Sequence, residues 1–188
     1  MDALLPAFVA ALLAEWGDKS QLLLVALAIR FRRPGPILAG VALAALANAL
    51  LAAFAGVVIH DFITARATAL LVAVSLLSAG MLALMRPSPP RIGAAWKTGA
   101  FLTSLGGFFL LEFADKTQFV TVALAAHHDS LALTALGAAA GVTAASVPAV
   151  LLGDHLAAAV PVQPIRIGIA LLLLLAGLIV TVSALALV

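Results

Sequence analysis

Two seven-residue stretches place the same charges inside apolar sequence. They are Glu15-Trp16-Gly17-Asp18-Lys19-Ser20-Gln21 and, 97 positions later, Glu112-Phe113-Ala114-Asp115-Lys116-Thr117-Gln118. An ionised side chain near a bilayer centre costs about 2.5–3.5 kcal/mol, so a chain that carries six of them must fold so that they compensate one another. Four of the chain's eight Asp and Glu residues stand in these two stretches, with every lysine except Lys97. The surroundings suit a bilayer. A hydrophobic content of 65%, 10% charged residues and a mean hydropathy of +1.24 lie far from soluble composition and mark an integral membrane protein.

Hydropathy predicts six spans, at residues 3–29, 36–59, 66–85, 98–126, 131–152 and 164–187, each near or above the ~20 residues that cross a bilayer. The breaks between them hold Arg, Pro, His and Asp, as loops do. Period-2 alternation is absent, which argues against a barrel. Asp2 stands where a signal peptide would be basic and the apolar stretch outruns signal length, so a retained first helix is expected. The lack of Cys excludes a disulfide framework and thiolate binding of soft metals. The net charge of +2 is small and sits in loops, so it sets orientation and gives no ground for nucleic-acid binding.

The repeat extends beyond the charged stretches. Residues 15–28 and 112–125 share eight identities in fourteen positions, and the same offset pairs Gly40 with Gly137, Gly56 with Gly153 and Gly80 with Gly177. Two three-helix halves, residues 1–90 and 91–188, are therefore expected within one membrane domain. Three is odd, so the second half enters from the opposite side, giving an all-α fold of six transmembrane helices in two inverted repeats with a midplane site between them. Arg30, Arg32, Arg33, Arg86, Arg91, Lys97 and Arg166 fall on one face and only Arg66 on the other. The first set is expected in the cytoplasm, leaving both termini outside.

On a continuous helix Glu15, Asp18 and Lys19 share a face, with Gln21 on nearly the same stripe, and Glu112, Asp115, Lys116 and Gln118 repeat the pattern. Glu15 lies about 18 Å along the first span, near the middle of a ~30 Å core. Four carboxylates and two lysines leave a charge of −2, which a divalent cation would neutralise and which favours proton uptake when the metal is absent. Exclusive occupancy by metal or protons is a physical basis for antiport. Oxygen ligands suit Mn²⁺, Ca²⁺ or Mg²⁺ better than Zn²⁺ or copper.

Duplication of a Glu-x-Gly-Asp-Lys-Ser/Thr motif, one copy per half, resembles the family of bacterial manganese exporters and the Golgi transmembrane protein 165, over essentially the whole chain. The resemblance implies proton-coupled export of Mn²⁺, in some members Ca²⁺, with Glu15, Asp18, Glu112 and Asp115 binding the cation. The expected location is a bacterial inner membrane. The partners are then a divalent ion, protons and lipid. No cofactor and no enzymatic activity are expected, and homo-oligomerisation is left open. Ala114 departs from the family glycine, which sets the symmetry of the half-sites in question.

Other readings stand beside this one. An i,i+4 pair of Glu15 with Lys19, or Glu112 with Lys116, that serves insertion alone leaves both aspartates unpaired. The lysines pair with carboxylates, act as mobile counter-charges or point away. Ser20, Gln21, Thr117 and Gln118 either give the ion neutral oxygens or bond neighbouring helices, and Asn48 reads best as a helix-to-helix bond. A Ca²⁺/H⁺ antiporter would use the same acids. An intramembrane hydrolase would need one proton-sharing acid pair, and a structural scaffold would tolerate neutral substitutions at all four acids.

Overall fold

The computed structural model describes residues 2–85, 96 and 98–185. Every regular element among them is helical: α1 (Leu4–Glu15), α2 (Lys19–Phe31), α3 (Pro34–His60), α4 (Ala65–Leu84), α5 (Ala100–Glu112), α6 (Lys116–His128), α7 (Leu131–Leu152), a 3-10 turn (Gly153–His155), α8 (Leu156–Ala159) and α9 (Val162–Ala184). Among the described residues α3, α4, α7 with its trailing turn, and α9 are long and apolar enough to cross a membrane. The boundary at residues 90 and 91, together with Arg86, Arg91 and Lys97, lies outside the described residues.

The first and fourth stretches are not the continuous helices that hydropathy predicts. Each breaks within its charged motif. α1 stops at Glu15, Gly17 turns left-handed at φ +74°, and Asp18 takes an extended conformation as N-cap of α2. Glycine just past a helix end and aspartate at a helix start are favoured at those positions, because one accepts positive φ and the other competes for backbone N–H groups. The second copy breaks at the same place without a glycine: Ala114 has φ +59° and Asp115 is the N-cap of α6. Glu15 and Asp18 therefore come together across a break, not by sharing a face of one helix.

The offset of 97 carries into the helix starts. Lys19 and Lys116, Pro34 and Leu131, and Ala65 and Val162 begin matching helices. Small residues then let matching pairs pack closely. A Cβ on Gly40 of α3 would lie 2.6 Å from the Phe101 carbonyl oxygen of α5, and one on Gly137 of α7 would lie 3.1 Å from Ala7 Cβ of α1. α4 and α9 exchange contacts, since a Cβ on Gly80 would meet Leu174 Cγ at 2.8 Å and one on Gly177 would meet Leu77 Cγ at 2.8 Å. Such close approach supplies the dispersion contacts that join helices in lipid, where apolar burial between helices adds little. Leu171, Leu172, Leu175, Leu178 and Ile179 stay exposed along α9. An apolar belt of that extent suits lipid, not water.

The two ends of the bundle differ in charge. At one end Arg32 and Arg33 occupy the α2–α3 turn, and Arg30 Nη2 donates to the Trp96 carbonyl at 2.6 Å. At the other, Arg66 Nη2 donates to the Leu185 carbonyl at 3.3 Å, and His60 Nδ1 donates to the Ala126 carbonyl at 2.7 Å.

Candidate cation site

Four helix ends converge where the two breaks meet. α1 and α5 end on Glu15 and Glu112, which are 2% and 4% exposed, while α2 and α6 begin after Asp18 and Asp115. One carboxylate oxygen each from Glu15, Asp18 and Glu112 lie within 4.8 Å of one another. Oxygen ligands at about 2.0–2.6 Å from a hard divalent ion lie at most ~5 Å apart, so these three can share one ion. Asp115 stands outside this trio, with Oδ2 held 3.0 Å from Lys19 Nζ.

The lysines reach across the molecule. Lys116 of the second motif pairs with Asp18 of the first, and Lys19 of the first pairs with Asp115 of the second. Neither aspartate makes the side-chain cap hydrogen bond its position offers. Their carboxylates face the opposite lysine instead. Glu15 is oriented from both halves, accepting from Ser20 Oγ at 2.7 Å and from Thr117 Oγ1.

Gln21 and Gln118, weighed above as sources of neutral oxygens for the ion, spend those oxygens on the backbone. Gln21 Oε1 accepts from the Gly17 N–H at 3.1 Å, and Gln118 Oε1 accepts from the Ala114 N–H at 2.8 Å. Their amide groups donate across the bundle, Gln21 to the Ala145 carbonyl at 3.1 Å and Gln118 to the Asn48 carbonyl at 3.4 Å. Asn48 Nδ2 in turn donates to the Phe109 carbonyl at 3.2 Å, the helix-to-helix bond expected of it. A broken helix within a bilayer needs such partners, because no water is there to satisfy freed backbone groups.

Glu112 Oε1 and Asn48 Oδ1 are buried and accept no hydrogen bond from protein atoms. Both residues line a cavity of about 20 Å³ together with Thr117, Gln118 and Thr121. An unsatisfied buried oxygen costs about 1–3 kcal/mol, more when charged, and a cation or proton removes that cost. A larger cavity of about 550 Å³ opens between α2 and α9, and Asp18, Gln21, Asp154, Gln163 and Arg166 are on its wall.

Arg166 is the residue that sequence reading misplaced by grouping it with loop charges. It is only 9% exposed, its Nε lacks a partner, and its aliphatic stem lies 3.0 Å from where a Cβ on Gly17 would stand. The available signal was its position inside the predicted sixth span. The position 97 residues earlier is Ala69, so this charge belongs to one half alone. At the opposite end, burial and the neighbouring His127 push the His128 pKa below its ordinary value, with Asp2 opposing them. Asp154 and His155 form an exposed pair at 3.7 Å.

Buried carboxylates at paired helix breaks, inside an apolar bundle, define the class as an integral membrane cation transporter. The family model for the divalent cation/proton antiporter GDT1 matches residues 3–89 and 100–187, one segment for each copy of the repeat, and the chain belongs to this family. A Vibrio cholerae serotype O1 protein named as a candidate manganese exporter is 37% identical over 167 residues, covering 88% of this chain and 84% of that protein. No solved structure matches the chain.

Proposed function

We propose that the chain exports Mn²⁺ in exchange for protons across a bacterial inner membrane, using six spans arranged as two three-span halves of opposite orientation. The broken stretches count as the first and fourth spans. α1 and α2 hold 12 and 13 residues, α5 and α6 13 each, and at ~1.5 Å per residue each pair is long enough to cross a ~30 Å core. The Arg30, Arg32 and Arg33 end is cytoplasmic by the positive-inside rule, and both termini are outside.

The observation that carries this reading is the trio of Glu15, Asp18 and Glu112 oxygens within 4.8 Å, with Glu112 Oε1 left unpartnered. Lys116 offsets Asp18 and Lys19 offsets Asp115. The charge left on the two glutamates is −2, which one divalent ion or two protons neutralise. Because both claim the same oxygens, binding of one expels the other. The name of the Vibrio cholerae relative favours Mn²⁺. The all-oxygen donor set accepts Ca²⁺ as well, which makes Ca²⁺/H⁺ exchange the second reading.

Everted vesicles supplied with Mn²⁺, Ca²⁺ and Mg²⁺ in competition separate the two, with Mn²⁺ expected to win. Purified protein should release protons on binding Mn²⁺ across roughly pH 5 to 8, and affinity should fall as pH falls. Metal binding without proton release, together with transport indifferent to an imposed proton gradient, would leave a uniporter as the better account.

A further inference from the structure

The two halves match closely except at α2 and α6. The α3–α5 and α7–α1 contacts are tight in both copies, and the α4–α9 contact is reciprocal. Gly56 and Gly153 are also counterparts, yet their surroundings differ. A Cβ on Gly56 would lie 2.7 Å from Ala125 Cβ of α6, whereas one on Gly153 would lie 3.8 Å from Ala28 Cβ of α2, and Ala28 is the counterpart of Ala125. α6 packs along α3 and α4, held by the His60 to Ala126 hydrogen bond and by Thr68 Oγ1, 3.4 Å from His127 Nδ1. Between α2 and α9, in contrast, lies the 550 Å³ cavity, which runs past Gln163, Val25 and Leu22 to Asp18.

We infer that α2 and α6 are the moving parts of the transporter and that Asp18 and Asp115 take turns as the third ligand beside Glu15 and Glu112. This rests on the cation/proton exchange proposed above. In the state described here α2 stands away from α9, so Asp18 both joins the two glutamates and faces the open cavity. Asp115 is paired with Lys19 and does not line that cavity. Closing α2 onto α7 and α9 while α6 parts from α3 and α4 gives the mirror arrangement, in which Asp115 completes the trio and faces outward. The paired frame helices need not move. Since each state reuses the contacts of the other through the repeat, the two differ little in energy, as a reversible carrier requires.

The chain has no cysteine, so the motion can be fixed and read with introduced thiols. Thr68→Cys with His127→Cys, bridged by a short bifunctional thiol reagent, should hold α6 on α4. Transport should fall to background while purified bridged protein still binds Mn²⁺. In that bridged protein Asp18→Asn should weaken binding at least about tenfold more than Asp115→Asn does. In unbridged protein Val25→Cys on α2 and Val122→Cys on α6 should react reciprocally with an impermeant thiol reagent, one losing label as the other gains it. Full transport by the bridged protein, equal losses from the two aspartate variants, or labels that rise and fall together would overturn the exchange of ligands while leaving cation/proton exchange intact. Failure of the unbridged, unsubstituted protein to bind Mn²⁺ would overturn the proposed function itself and the exchange with it.

Discussion

Lys116 pairs with Asp18 from the far side of the repeat, its side chain 4% exposed and that of Asp18 17%. Removing one partner of a buried pair strands the other, at a cost of about 3–5 kcal/mol. Lys116→Ala should therefore lower the unfolding temperature in detergent sharply. Lys19→Ala strands Asp115, which is 16% exposed, but the Lys19 side chain is itself 32% exposed, so its own pairing contributes less and the loss should be smaller. Equal losses would mean the two cross-pairs are equally buried in solution.

Neutral substitution of the acids should stop transport without stopping insertion. Glu15→Gln, Asp18→Asn, Glu112→Gln and Asp115→Asn should each reduce Mn²⁺ flux into everted vesicles by about 10- to 100-fold or more, the loss that even indirect metal-site partners carry. Two or more variants moving metal at the unsubstituted rate would remove the shared site.

The break in the second motif stores backbone strain that the first avoids. Ala114 sits at φ +59°, where a non-glycine residue costs about 1–2 kcal/mol. Ala114→Gly should stabilise the protein by about 1 kcal/mol, read as a rise in unfolding temperature. Gly17→Ala should do the reverse and by more, because its methyl would also press on the Arg166 stem 3.0 Å away.

Topology can be tested at two described turns. A single cysteine replacing Arg32 should be labelled by an impermeant reagent only from the cytoplasmic side, and one replacing His128 only from outside. Labelling of both from one side would remove the opposed orientation of the halves.

His128 offers a pH readout away from the site. Burial and His127 lower its pKa while Asp2 raises it, so its imidazole should titrate below about 6.5 in an NMR experiment. His127→Gln removes a like charge and should move the midpoint up. Asp2→Asn removes a favourable charge and should move it down. A midpoint unmoved by His127→Gln would mean that the two rings do not interact.

The helical class and the repeat could be read from residues alone, because polar and glycine matches are scarce in an Ala- and Leu-rich chain. The breaks at 16–18 and 113–115 escaped notice since hydropathy averages over a turn of charged residues and returns one long span. Gly17 followed by Asp18 was a local stop-and-start signal; Ala114 carried none, and only its place in the repeat pointed to a break. The cross-pairing of Lys19 with Asp115 and Lys116 with Asp18 joins residues about a hundred positions apart. Helical spacing describes neighbours within one helix and has no access to such contacts. Arg166 was hidden by its nearness to a loop, although burial against Gly17 depends on how α9 crosses the first break.

Gly80 receives Leu174 as Gly177 receives Leu77, the isologous contact of a two-fold dimer in which i meets j and j meets i. Two separate identical subunits joined this way would have to carry every substitution twice. Folding both partners into one chain lifts that obligation. Arg166 beside one break and Ala69 at its counterpart position show the freedom in use. The reciprocal contact keeps its symmetry, and a preference for one direction of travel can be written into residues that differ between the halves.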